Sequence, residues 1–399
     1  MIVLITVMMT ISLFGCTSIL PNMNEIDKLD LVRIAGVDID PKNPDNIRVT
    51  ILSKKSTAQS QGQGGQSGGA QSGSSQGEVV SNSAATLFEA ERQLQTSSAK
   101  QLFWGHVDYY LISEKAARRG IGKYMDFFAR DHETRDNANI YIIKGTTAEK
   151  FINKASKGDT FLPDLLTGID ANSILVTGPQ EMTLMEFMED IDNKGSAIVA
   201  PVLYLKSNKG EKKAQESVDL DGYAVFDQLK LVKFLDKKMT IAENFLLNQV
   251  KTSIIEVKDS HKKMIGLELI NSSTKIAPYY ENGELKGFNV KVKFTTNVDE
   301  VHSTSNIFTE EDLNFITNKQ SEEVKNEIKK VISFAQKNKI DFLGVGKTFD
   351  TNHPVKWAKY KDKWKQIFPN LSFNVEVESK INRTYDIREP NGVLEEDHK

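Results

Sequence analysis

VDYYLISEKAARRGIGKYMDFFARDHETRDNANIYII, Val107 to Ile143, decides the fold class. Val107–Ile112 is an apolar, β-branched and aromatic run of strand length. Ala117, Ile121, Tyr124, Met125 and Phe128 then recur at three- and four-residue steps, as one buried stripe of a helix does. Ile140–Ile143 returns to a short buried strand, and Thr147–Lys154 opens the next helix. Strands that alternate with helices predict a layered α+β or mixed α/β domain, a sheet packed with helices.

Upstream, Leu31–Asp40 (LVRIAGVDID) reads as a strand and Asn46–Lys54 as its hairpin partner, with the turn-forming Asp40-Pro41-Lys42-Asn43-Pro44-Asp45 between them. Thr57–Gly77 is almost wholly Gln, Gly and Ser. Such a segment buries too little apolar area to offset its ordering entropy, and a flexible surface loop inserted in one domain is expected. Ala84–Leu102 predicts an amphipathic helix.

Downstream, Gly222–Leu235 predicts two strands around Asp227-Gln228. Val290, Val292 and Phe294 alternate with Asn289, Lys291 and Lys293, as in a strand with one wet face. Thr309-x-x-Asp312 forms a capping box for a long helix whose inner face carries Val324, Ile328, Val331 and Ala335. Pro354 suits a helix first turn, and Trp357, Tyr360, Trp364, Ile367 and Phe368 are expected along that helix. Phe373, Val375 and Val377 close the pattern as a strand.

With 399 residues, 39% apolar and 26% charged, the chain is long enough for two or three domains, each a mixed or antiparallel sheet packed with helices. The expected organisation is a signal peptide at 1–15, a lipidated tether at 16–30, and an N-terminal α/β domain at 31–195. A C-terminal α+β domain at 196–388 follows, with 196–245 as a candidate middle module, and 389–399 is expected to be a disordered tail.

Ile2–Phe14 is apolar or small throughout, too short for a membrane span of about 20 residues but suited to a secretory signal core. It ends in Leu13-Phe14-Gly15-Cys16, and Cys16 is the only cysteine in the chain. That arrangement looks like a bacterial lipobox, in which the thiol takes a diacylglyceryl group before cleavage. Two acyl chains give stable anchoring in a lipid bilayer.

The net charge of -3 argues against a nucleic-acid partner. Six histidines without a pair at i, i+3 or i, i+4, together with one cysteine, leave no local metal motif and no cofactor fingerprint. No catalytic set stands out. G-x-S-x-G occurs only inside the Gln/Gly/Ser loop, where composition alone produces it. Gly344-Val345-Gly346-Lys347 lacks phosphate-loop spacing and reads as a turn between helices. Arg130, Asp131 and Arg135 form a dense charged cluster, open to two roles: an interaction site for an anionic group, or ion pairs that tie a helix end to a loop. His106 is expected as a core or strand-edge histidine, and Trp357 with Trp364 as core.

Several segments, in order, resemble one family. Leu102-x-x-Gly105-His106 leads to Ile112, then Glu114-x-Ala116-x-x-x-Gly120-Ile121. Phe127-Phe128-Ala129-Arg130-Asp131-x-x-x-Arg135 and Ile142-Ile143-Lys144-Gly145 follow. Gly222-Tyr223-Ala224-Val225-Phe226, Asp341-Phe342-Leu343-Gly344-Val345-Gly346, Pro354-x-x-Trp357 with Trp364, and Ile381-Asn382-Arg383-Thr384 continue to the end. They are similar to the Ger(x)C family, the lipoprotein C subunits of nutrient germinant receptors in spore-forming bacteria. The chain departs from the family pattern at Phe14, in lacking a basic residue before the apolar run, and at Thr17-Ser18-Ile19.

The resemblance implies mixed sheets and helices in several domains, with lipid holding them to the outer face of the spore inner membrane. It also implies work beside multi-pass A and B membrane subunits, without enzymatic activity. Two other functions stay open from the residues. One is a stand-alone lipoprotein that captures a solute for a transporter, which needs a cleft between similar lobes. The other is a cell-wall hydrolase, which needs acidic or metal-binding residues that converge in space.

Overall fold

The computed structural model describes residues 28–54, 77–192, 197–207, 216–302 and 309–383. The expected signal peptide, Cys16 and its lipobox, most of the tether, nearly all of the Gln/Gly/Ser loop and the C-terminal tail lie outside the described residues.

Two sheets organise the chain. The first has nine strands: β1 (Leu29–Ile39), β2 (Ile47–Lys54), β3 (Glu78–Ala84), β4 (Gln101–Phe103), β5 (Tyr109–Ser113), β6 (Asn139–Ile143), β7 (Ile198–Ser207), β8 (Glu216–Asp227) and β9 (Lys230–Phe234). Their order is β3-β2-β1-β5-β6-β7-β8-β9, with β4 beside the start of β1. The central strands β1, β5, β6 and β7 run parallel, and β2, β3, β8 and β9 pair antiparallel at the flanks.

Helices cover both faces, which is why the central strands are nearly continuous apolar runs. On one face α1 (Leu87–Thr96), α2 (Glu114–Arg119) and α3 (Gly122–Arg130) pack on Val32, Val37, Tyr110, Ile112, Ile140 and Ile142. On the other, α4 (Ala148–Ala155) and α5 (Leu162–Ser173) cover Ile34, Tyr109, Leu111, Tyr141 and Ile143. Alternate residues of each strand thus feed two cores.

The second sheet has the order β10 (Ser253–Lys258), β11 (Met264–Glu281), β12 (Glu284–Val301), β13 (Ser372–Arg383). Its first three strands are antiparallel, and β13 runs parallel to β12. Helix α6 (Leu184–Asp192) belongs to the first domain; α7 (Lys237–Leu246), α8 (Glu310–Asn338) and α9 (Val345–Asn352) serve the second. The expected N-cap forms, with the Thr309 side chain accepting from Asp312 N at 3.1 Å; the Asp312 carboxylate takes the Thr309 hydroxyl at 2.7 Å, and Val324, Ile328, Val331 and Ala335 are buried. One face of this sheet packs on those helices. The other carries a charged ladder in which Lys291 and Lys293 pair with Glu378.

Four sequence expectations are revised. Strands 198–234, grouped above with the C-terminal half, complete the first sheet, because β7 pairs parallel with β6. The helix through Ala117 and Phe128 is two helices. Gly120 adopts φ +121°, and Ile121 N donates to Leu229 O at 2.8 Å, so a tertiary bond replaces a helical one. The helix expected over Ala84–Leu102 stops at Thr96. There the Gln95 side chain donates to Lys100 O and accepts from Leu102 N, and β4 begins. The helix expected from Pro354 to Phe368 is broken into short turns, Pro354–Trp357, Lys361–Lys363, Trp364–Ile367 and Phe368–Asn370.

Candidate interaction surface

The chain enters the fold at Leu29, beside Gln101 of β4. Lys54, where the Gln/Gly/Ser segment departs, pairs with Leu31, and Glu78, where it returns, pairs with Ser53. The loops before β5 and β6 open toward the same end, since Ile34 aligns with Tyr109 and Tyr109 with Asn139. One end of the first sheet therefore gathers the N-terminal entry, both stubs of the polar segment and the loop that carries Asp131 and Arg135.

The three cluster residues serve different partners there. Arg130, 77% exposed at its side chain, pairs with Asp126 one helical turn back at 2.9 Å. Asp131 takes a bond from Thr134 Oγ1 at 3.3 Å. Arg135 donates to Asn137 at 2.7 Å and reaches Asp108 at 3.4 Å. Asp108 also takes the Nε–H of Arg33 on β1, so Arg33 and Arg135 share one carboxylate and close the loop onto the sheet. Half-exposed ion pairs of this kind contribute about 0–1 kcal/mol each, so they set loop position more than stability.

Sequence reasoning missed Glu91, which lies beneath this loop. Burial against α3, with Asp131 and Glu133 as like-charged neighbours, pushes its carboxyl up to about 7. The approach comes from chain reversal between α1 and the 131–133 loop, and no local motif announces it. His106, expected in the core or at a strand edge, is instead exposed in a 3-10 turn at Trp104–His106 with its ring 5.6 Å from Phe103.

On the opposite face Tyr109, Tyr141 and Asn139 converge on Asp170 of α5. Burial raises the Asp170 carboxyl despite these donors. The knot ties α5 to the sheet.

The second cluster of family-like residues builds the domain seam. In β8, Ala224 and Phe226 enter the core beneath α1–α3, while Tyr223 and Val225 enter the core of the second domain, the second core. Tyr223 accepts from Gln180 N at 2.8 Å and donates to Asn244 of α7 at 3.0 Å. Gly222 leaves no room for a side chain, because a Cβ would lie 2.2 Å from Leu235 O.

Asp341 sits across the seam. Its carbonyl accepts from Ala197 N at 2.7 Å, and its carboxylate accepts from Gly346 N at 2.7 Å, Val345 N at 3.3 Å and Trp364 Nε1 at 2.9 Å. Gly344, at φ +67°, turns the chain so that these amides point inward. The Gly344–Lys347 stretch is thus a helix start closed by an aspartate. Trp357 and Trp364 meet edge to face at 4.9 Å in the core, as expected. Lys347–Asp190 and Lys365–Asp227, each at 2.6 Å, flank a cleft of about 500 Å³ along the seam. Among the described residues, no group of three or more His, Cys, Asp or Glu could hold a metal ion.

Both halves of this architecture match one family. Residues 22–205 match the family described as spore germination protein N-terminal domain, and residues 221–385 match the spore germination B3/GerAC-like C-terminal domain. The chain belongs to the Ger(x)C family of spore germination proteins. It is 25% identical over 384 residues to spore germination protein KC of Bacillus subtilis (strain 168), covering 89% of this chain and 90% of that one. Spore germination protein B3 of the same organism is 23% identical over 386 residues, covering 94% and 95%. The crystal structure of the GerBC protein shares the fold, with a TM-score of 0.56, 19% identity, and 90% of this chain and 99% of that chain covered. The mixed sheets packed with helices thus match the fold of that structure. Of the segment between the two matches, the described residues 206–207 and 216–220 belong to β7 and β8 of the first sheet.

Proposed function

We propose that this Ger(x)C protein is the lipid-anchored C subunit of a nutrient germinant receptor, non-enzymatic, working with multi-pass A and B subunits on the outer face of the spore inner membrane. The observation that carries the proposal is the end-to-end match of both domains to spore germination proteins. Two further features support it. The leader ends in Leu13-Phe14-Gly15-Cys16, and eleven residues lie between Cys16 and Lys28, a reach of at most roughly 40 Å. The end of the first sheet that holds the N-terminal entry then faces the bilayer. Anchoring on two acyl chains raises the local concentration of the folded domains beside the membrane subunits.

The test is Cys16→Ala in spores. The variant is expected to fold, to leave the membrane fraction and to slow nutrient germination. A Cys16→Ala protein that stays fully membrane-bound and fully active would overturn the anchoring role. Solute capture needs a cleft between similar lobes, and the two sheets here differ in strand number and topology.

A further inference from the structure

Strand β10 is an edge of the second sheet and pairs only with β11, without a bulge, from Ser253↔Leu269 to Lys258↔Met264. In an antiparallel pair, alternate residues aim their N–H and C=O away from the partner strand. Among the described residues, none of 253–258 makes a backbone hydrogen bond outside that ladder. The opposite edge, β13, presents Asn374, Glu376, Glu378 and Lys380 to solvent, the charged blunting expected of a protected edge. β10 presents Ile254, 66% exposed, followed by exposed Glu256 and Lys258, so its charges lie toward one end of the edge.

A groove of about 410 Å³ runs along this edge, between β10 and helices α7 and α8. Its floor is apolar, formed by Ile241, Phe245 and Val324. Its rim is acidic, with Glu256, Glu323 and Glu327 against Lys238; Glu327 holds Lys330 at 2.7 Å. The apolar surface continues onto Leu175 and Val176, 62% and 57% exposed, in the 3-10 turn that packs beside β10.

Unpaired backbone groups call for an extended chain, the apolar floor for apolar side chains on its helix-facing side, and the carboxylates for basic side chains, Glu256 beside its wet face and Glu323 and Glu327 at the helix rim. We propose that the β10 edge takes an extended segment of a partner protein as a fifth strand. Alternate apolar side chains of that segment enter the groove, and Lys or Arg side chains lie beside Glu256, Glu323 and Glu327. The aliphatic stems of those basic residues cover Ile254. A second copy of this chain fits poorly, because pairing two β10 edges sets the two acidic rims against each other.

The probe is a fluorescent peptide of alternating Lys and Val, titrated into the detergent-solubilised full chain at low salt. Its counterpart is the same peptide N-methylated at alternate residues, which keeps charge and apolarity but cannot complete the ladder. Saturable binding is expected, at least about tenfold weaker for the N-methylated peptide and about tenfold weaker again for Glu256→Lys with Glu323→Lys. Deuterium exchange at Ile254 to Lys258 should slow when the unmodified peptide binds. Both substituted residues are exposed, and unchanged melting temperatures check that the variants fold. Equal binding by the N-methylated peptide would mean charge adsorption and overturn strand addition. Absence of saturable binding, or self-association of the chain that protects β10 without peptide, would overturn it too. Peptide capture is read on the purified chain and germination on spores, so either this role or the receptor role can fail alone.

Discussion

Replacing Asp341 with alanine removes the acceptor for Val345 N, Gly346 N and Trp364 Nε1 in a fully buried place. Each orphaned donor costs about 1–3 kcal/mol, partly offset by the loss of a desolvated carboxylate, for a net of about 2–4 kcal/mol. With a urea dependence of about 2–3 kcal/mol/M, the midpoint falls by about 1–2 M. Trp357 and Trp364 lie in the second core, so their fluorescence reports the transition.

Burial pushes the Asp341 carboxyl from its ordinary 3.8 up to about 6. A raised folded-state pKa means that the folded protein binds the proton more tightly. The stability from this group is therefore present below 3.8 and is lost as pH rises through about 6. A shift in this direction makes folding more favourable at pH 5 than at pH 7, by on the order of 1 kcal/mol. Asp341→Asn abolishes that increment while keeping one acceptor oxygen. An unchanged midpoint in the alanine variant, or the same pH increment in the asparagine variant as in the wild type, would refute the role given to this carboxylate.

Glu243 of α7 is fully buried, neither carboxylate oxygen has a hydrogen-bond partner among the described residues, and burial raises it well above the usual carboxylate range. Glu243→Gln is expected to lose less stability between pH 6 and 9 than the wild type, measured by thermal melting; a steeper loss would contradict a neutral buried carboxyl. Gly222→Ala drives a Cβ to 2.2 Å from Leu235 O, and the variant is expected to be insoluble or to melt well below the wild type; wild-type melting would refute the tight seam. Gly287→Ala meets Ser372 O at 2.0 Å and should loosen β13, seen as faster amide exchange at 372–377 than in the wild type. Arg135→Ala leaves Asp108 with Arg33 and is expected to cost no more than about 1 kcal/mol, checked by denaturation.

Local periodicity carried much of the fold. The 31–54 hairpin, the Thr309 cap and the 222–235 hairpin were legible because each depends on residues close in sequence. The seam was not. Val225 and Phe226 are adjacent, so strand alternation sends them to opposite faces, but nothing local says that the face of Val225 is covered by the second domain. The membership of strands 198–234 was hidden for the same reason: it depends on β6–β7 pairing across 60 residues, which composition cannot report. The helix break at Gly120 follows from a bond to Leu229, another distant partner. The charged run 130–135 was legible as a cluster, whereas its division among Asp126, Thr134 and Asp108 needed the folded loop. The β10 edge was invisible, since Ile254 reads as an ordinary strand residue until its neighbours are placed.

The most direct test of the receptor role is dipicolinate release from spores that lack this protein, triggered by nutrients and separately by external calcium dipicolinate. The account predicts loss or slowing of the nutrient response with an intact response to calcium dipicolinate, which places the protein upstream of the common germination machinery. An unchanged nutrient response, in spores stripped of other nutrient receptors, would contradict it.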